Sequence, residues 1–186
     1  MKIAITGGIG SGKSFVCNML RERGIKIFDC DSSAKFLMRN SDSLKTALKK
    51  AVGDEAYLPD GTLNKAYISR LLLQSEANAN IINGIVHPAV AEHFMNSGLE
   101  WMECAILFES GFDCLVDKVV CITAPLETRI GRVLKRDNIS RSQALEWIGK
   151  QLPQDELISR SDFCIINDGQ SDLQEQINNL LIEINN

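Results

Sequence analysis

No apolar run in the sequence approaches the roughly 20 residues that a helix needs to span a bilayer. A membrane partner is therefore not expected. Positive charge is not in excess either: the formal net charge is −4 and the pI is near 5.3. That argues against a nucleic-acid partner held through bulk charge, so any anionic ligand must be met by locally placed cations. Six cysteines are present, but no two form a C-x-x-C pair, and most sit in apolar surroundings such as "VVCIT" and "DFCII". This spacing disfavours zinc binding, and a disulfide framework is unexpected in a chain of this size. The opening "MKIAIT" runs directly into a glycine turn and leaves no room for a signal peptide. The expected compartment is the reduced cytoplasm. Histidine is scarce, with only His87 and His93, and there is no internal repeat or low-complexity segment.

What is present has the composition of a globular protein, 45% hydrophobic and 24% charged. A length of 186 residues suits one domain with an inserted subdomain. Short apolar runs predict strands at "KIAIT" (2–6), "IKIF" (25–28), "ECAILF" (103–108), "KVVCIT" (118–123) and "DFCII" (162–166). Helical segments separate them, which predicts an α/β fold with a doubly wound, five-stranded parallel sheet. The stretch 32–98 reads as mostly helical, broken at Pro59-Asp60-Gly61. A charged helical hairpin is expected over 126–151. Near the end, Leu173, Ile177, Leu180, Leu181 and Ile184 share one helical face, which packs on the sheet. Ligands of such sheets bind beyond the carboxyl ends of the strands. Thr6, Phe28, Phe108 and Thr123 mark four of those ends.

The strongest motif follows the first strand at once. Gly7-x-x-x-x-Gly12-Lys13-Ser14 has the P-loop spacing between a strand and a helix. Successive backbone N–H groups at a helix start form a nest for phosphate oxygens. Gly8, Gly10, Ser11, Gly12, Lys13, Ser14 and Phe15 are the expected phosphate-binding residues. Lys13 adds a mobile charge on the β- and γ-phosphates, and the Ser14 hydroxyl is the expected ligand of Mg²⁺ travelling with ATP. A dinucleotide fingerprint fails because its third glycine comes one place too early. No N-K-x-D or D-x-x-G sequence supports a GTPase switch. A small ATP-using transferase is the leading class.

Asp29-Cys30-Asp31 ends the second strand, and alternation along an extended segment would point both carboxylates the same way. One could accept a proton from an attacking hydroxyl while the other assists Mg²⁺; alternatively, Asp31 caps the next helix. His87-Pro88 reads as a proline-constrained helix start, and His93 as a surface residue. Glu109, after a buried strand, is a candidate substrate contact or contact to a Mg²⁺-bound water. Arg129, Arg132 and Arg136 recur at helical spacing: either a solvated face or cations carried by a lid.

The pieces "ITGGIGSGKS", "DCD", "DGTL", His87-Pro88, "LFE", "RVLKRD", "GKQ" and "NDG" occur in an order that resembles the dephospho-coenzyme A kinase family, over almost the whole chain to about residue 169. The resemblance implies ATP-dependent phosphorylation of the ribose 3′-hydroxyl of dephospho-CoA, making ATP and dephospho-CoA the partners. It further implies a helical CoA-binding region at 32–98, a lid at 126–151 and Asp31 as catalytic base. His87 would shape the acceptor site with Asp29 and Glu109. Arg132 and Arg136 match family positions and, with Lys13, are the expected catalytic cations. The sequence departs from the family's pattern at several points. Phe15 stands where a hydroxyl residue is usual, Ala105 in a proline position, and Arg129 at the glutamine of Q-x-x-R. Asn64-Lys65 replaces Asp-Arg, and Trp147 a frequent arginine. Other acceptors (a nucleoside monophosphate or small metabolite) and a non-enzymatic nucleotide-binding protein are the alternatives.

Overall fold

The computed structural model describes residues 1–184. The chain divides into two units, Met1–Phe28 with Leu99 onward, and Asp29–Gly98.

The first unit is built on β1 (Ile3–Thr6), every residue of which is buried. An unbroken apolar run suits a parallel strand covered on both faces. β2 (Ile27–Asp29), β3 (Trp101–Glu103), β4 (Lys118–Thr123) and β5 (Phe163–Ile166) complete a five-stranded sheet in the order β2-β3-β1-β4-β5. β1 pairs in parallel with β3 (Ile5 opposite Glu103) and with β4 (Ile5 opposite Val120), and β4 pairs in parallel with β5. Helix α1 (Lys13–Glu22) buries Val16, Cys17, Met19 and Leu20, the one-sided spacing of an amphipathic helix. Gly24, just past the Arg23 cap that ends it, takes a left-handed φ of 86°. These residues join Ile3, Ile5, Val120 and Ile122 in the main core. The last helix in the first unit, spanning Leu173–Ile184, supplies buried Ile177 and Leu180, with Leu173, Leu181 and Ile184 packed against the same core. Its apolar face therefore packs as expected.

One strand differs from expectation. The run "ECAILF" is not a strand over 103–108: β3 ends at Glu103, and the chain then turns. Ser110 N–H donates to Ile106 O at 2.9 Å and Phe112 N–H to Leu107 O at 2.9 Å. Leu107 and Phe108 are nonetheless buried, so the apolarity reflects burial in a turn. Periodicity alone cannot separate the two over so short a run.

The second unit is helical: α2 (Cys30–Asn40), α3 (Asp42–Val52), α4 (Lys65–Gln74) and α5 (Glu76–Asn96). Each start is capped by a side chain, Asp29, Ser41, Asn64 and Ser75 respectively. Ile82, Val86, Val90 and Phe94 recur every fourth residue along α5 and are buried. Pro88 lies inside α5, not at a helix start. The preceding twelve residues already form the helix, which tolerates one missing N–H. His93 is not a free surface residue: it is half-buried, its Nδ1 stands 2.7 Å from Ser33 Oγ, and its ring stacks on Phe36.

The first unit continues after β4 with α6 (Leu126–Asp137), α7 (Arg141–Gly149) and α8 (Gln154–Ser159), and the final helix at Leu173–Ile184 is α9. All six cysteines are free thiols.

Candidate active site

The glycine turn joins β1 to α1, and Gly12 (φ 85°), just before the helix, takes the N-cap position with no side chain to cap it. No side-chain oxygen therefore occupies the helix-start amides, which leaves them to an anion. Glycine is required at position 12, where a Cβ would collide with the Asn167 side chain.

Three outer segments hold the loop's main chain. Arg132 Nη1 donates to Gly10 O at 3.3 Å and Ser11 O at 3.1 Å, while its Nη2 donates to Asn167 O at 2.9 Å and Oδ1 at 3.1 Å. Asn167 Nδ2 donates to Ser11 O at 2.9 Å. Gln151 Oε1 accepts from Ile9 N–H at 2.6 Å, and Arg129 Nε donates to Ile9 O at 2.8 Å. With its carbonyls satisfied from outside, the loop is fixed without using the remaining amides, a preorganised arrangement for phosphate.

On the helix side, Lys13 Nζ stands 2.7 Å from Glu103 Oε1, and Ser14 Oγ donates to the same oxygen at 2.9 Å. Arg21 Nη2 reaches Glu103 Oε2 at 3.3 Å. Glu103 is only 6% exposed. Burial pushes its carboxyl pKa upward, but the bonds from Lys13, Ser14 and Cys17 outweigh that and hold it below the usual glutamate value. The neighbouring Cys17 thiol is pushed up to about 12, first by burial and then by the Glu103 charge. Lys13, Ser14 and Glu103 form a hard-oxygen and ammonium cluster, able to rearrange around a phosphate and a Mg²⁺ ion.

A groove of about 640 Å³ adjoins Gly12, walled by Phe15, Met19, Arg132, Asn167 and the segment leading into α9 at Leu173. Phe15 is 59% exposed there, which brings an apolar face to the phosphate loop.

The other predicted residues are distributed as follows. Arg132 is at the loop, bound to its carbonyls. Arg136 is exposed and pairs with its neighbour Asp137 at 2.8 Å, so it is not brought to the loop. The hairpin is not free of a core: Ile130, Val133 and Ala144 form a cluster that includes Ile9 of the loop. Glu109 follows a turn, not a strand; it is exposed and accepts from Leu152 N–H at 3.3 Å, beside Gln151. In the helical unit, Asp29 is the cap of α2, accepting from Ser32 N–H and Oγ at 2.9 Å each. Asp31 is already in the helix, so strand alternation does not align the two carboxylates. A cap placed directly at the strand end starts the helix one residue too early for that. Among the described residues, the Asp31 carboxylate has no hydrogen bond or ion pair, and the residue is exposed. His87 is half-buried, and burial lowers its pKa.

Sequence reasoning missed Glu103, Asn167 and Gln151 as site residues. The available signal for Glu103 was an acid closing an apolar run.

A family model described as dephospho-CoA kinase matches residues 1–172. The chain belongs to the dephospho-CoA kinase family. A dephospho-CoA kinase of Bacteroides fragilis is 39% identical over 192 residues, covering 97% of this chain and 91% of that protein. A solved structure from Thermus thermophilus superposes with a TM-score of 0.83 at 29% identity, covering 98% and 96% of the two chains. A solved dephospho-CoA kinase from Campylobacter jejuni shares the fold, with a TM-score of 0.69 at 20% identity over 99% and 98%. As a dephospho-CoA kinase family member, the chain is a transferase of the nucleotide-binding P-loop class, and its loop lies between β1 and α1 as that class requires. No helix among the described residues is long and apolar enough to cross a membrane.

Proposed function

We propose that the chain transfers the γ-phosphoryl group of ATP to the ribose 3′-hydroxyl of dephospho-CoA, giving coenzyme A and ADP. The observation that carries this reading is the Lys13–Glu103–Ser14 cluster beside a loop with an uncapped helix start. ATP entering the loop would draw Lys13 from Glu103 onto its phosphates. The Ser14 hydroxyl and Glu103 carboxylate are hard oxygen donors suited to Mg²⁺. Mg²⁺ bound there would neutralise charge on the phosphates.

Asp31 acts as the general base in this reading. Its exposure and lack of a partner support the role, since an unpaired carboxylate is available to a hydroxyl proton. Asp29 shapes the acceptor site indirectly by fixing the start of α2. The helical region 32–98, with His87, receives dephospho-CoA, and Glu109 contributes through the segment at Leu152. Residues 126–151 form the lid, with Arg132 and Arg136 supplying charge to the transferring group. The base and ribose of ATP would extend into the groove walled by Phe15 and Met19. Six free thiols support a reduced, cytoplasmic setting.

The test is ADP formation with dephospho-CoA compared with AMP and shikimate as acceptors. Turnover that depends on dephospho-CoA is expected. Faster turnover on another acceptor would overturn the assignment.

A further inference from the structure

Arg129 is 6% exposed, yet no carboxylate among the described residues forms an ion pair with it. The only hydrogen bond of its side chain among those residues is the one from Nε to Ile9 O, at 2.8 Å. Its Nη1 and Nη2 lie across the main chain of Gly8, where a Cβ would collide with the guanidinium. Gly10 gives the same clearance to the main chain of Arg129. Ser11 Oγ, in the same loop, is buried without a partner.

Buried charges are ordinarily paired, because desolvation is costly. Burial lowers the Arg129 pKa, but a guanidinium in a protein stays charged. The other cations at the loop have their polar groups occupied: Lys13 and Arg21 share Glu103, and Arg132 donates from both Nη1 and Nη2 to oxygens of Gly10, Ser11 and Asn167. Arg129 is therefore a standing, uncompensated positive charge against the loop's backbone, and the compensating anion must come from outside the chain.

We infer that Arg129 is an affinity- and specificity-determining residue for the nucleotide polyphosphate, its unpaired charge favouring ligands with more phosphate groups at the expense of ligand-free stability. This rests on the P-loop nucleotide reading above.

Arg129→Gln and Arg129→Lys separate charge from geometry. Glutamine can still donate a hydrogen bond but carries no charge; lysine keeps the charge without the planar fork. Calorimetric titration with ATP, ADP and AMP gives Kd, and thermal unfolding without ligand gives Tm. Arg129→Gln is expected to weaken ATP binding by about 10–100-fold, the range for a lost charge-assisted contact. The loss should be smaller for ADP and smallest for AMP. Ligand-free Tm should stay level or rise, and Arg129→Lys should recover most of the ATP affinity. A purely structural clamp predicts the opposite: Tm falls, or the protein fails to fold, and Gln and Lys are equally impaired. Either result overturns the inference, as does unchanged ATP affinity in Arg129→Gln. A wild-type chain that binds no ATP would overturn the nucleotide reading itself, and this inference with it.

Discussion

Lys13 Nζ and Glu103 Oε1 lie 2.7 Å apart, so the lysine proposed for the phosphates is held by a buried carboxylate on β3, the strand beside β1. The same carboxylate takes the Ser14 hydroxyl.

Lys13→Ala should abolish transfer, because the cation on the β- and γ-phosphates is lost. It should also lower stability by about 1–3 kcal/mol, the cost of leaving a buried charged acceptor short of a partner. Arg21 and Ser14 remain to limit the damage. Steady-state kinetics and thermal unfolding read the two effects separately, and wild-type turnover in a folded variant would refute the P-loop role.

Glu103 gives a pH signature. Its folded pKa lies below the ordinary glutamate value near 4.3, so the unfolded chain binds the proton more readily. The stability it contributes is fully present above about pH 4.3 and is lost as pH falls through the lower folded pKa. Glu103→Gln should therefore be less stable than wild type at neutral pH, with the gap closing in acid. Unfolding curves from pH 7 to 3 check this; a gap that widens in acid would reverse the sign.

Asp31→Asn and Asp29→Ala should separate chemistry from folding. Removing a general base costs about 10²–10⁴-fold in kcat, and Asp31 has no structural bond to lose. Its Tm should barely move. Asp29→Ala removes the α2 cap and should cost about 1 kcal/mol of stability. A Tm drop in Asp31→Asn with unchanged kcat would return Asp31 to a purely structural role.

Arg132→Ala should reduce both kcat and Tm, since that side chain ties Gly10, Ser11 and Asn167 together. Arg136→Ala should reduce kcat with little change in Tm, because its partner Asp137 is its immediate neighbour. Normal turnover in Arg136→Ala would make that arginine a solvated surface residue.

The phosphate loop was legible because its chemistry is local: glycines, lysine and serine at fixed spacing between a strand and a helix. The apolar face of α9 was legible for a similar reason, as was the number of strands. Glu103 was hidden because its importance depends on which strand lies beside β1, and the order β2-β3-β1-β4-β5 cannot be read from a run of apolar letters. Arg129 was hidden by the opposite problem: a basic series at helical spacing looks the same whether solvated or buried. The Asp29–Asp31 relationship failed on a single boundary, since the helix begins at Cys30 and cancels the alternation. His93 looked exposed because nothing in sequence announces a bond to Ser33, sixty positions away.

The central claim is that the γ-phosphoryl group of ATP ends on the 3′-oxygen of dephospho-CoA. It is tested most directly by following an isotopic label in the γ-phosphate of ATP into the products. Label is expected on the ribose 3′-oxygen of a product identical to coenzyme A, formed with one ADP per turnover. Label recovered as inorganic phosphate, or on another hydroxyl, would contradict it.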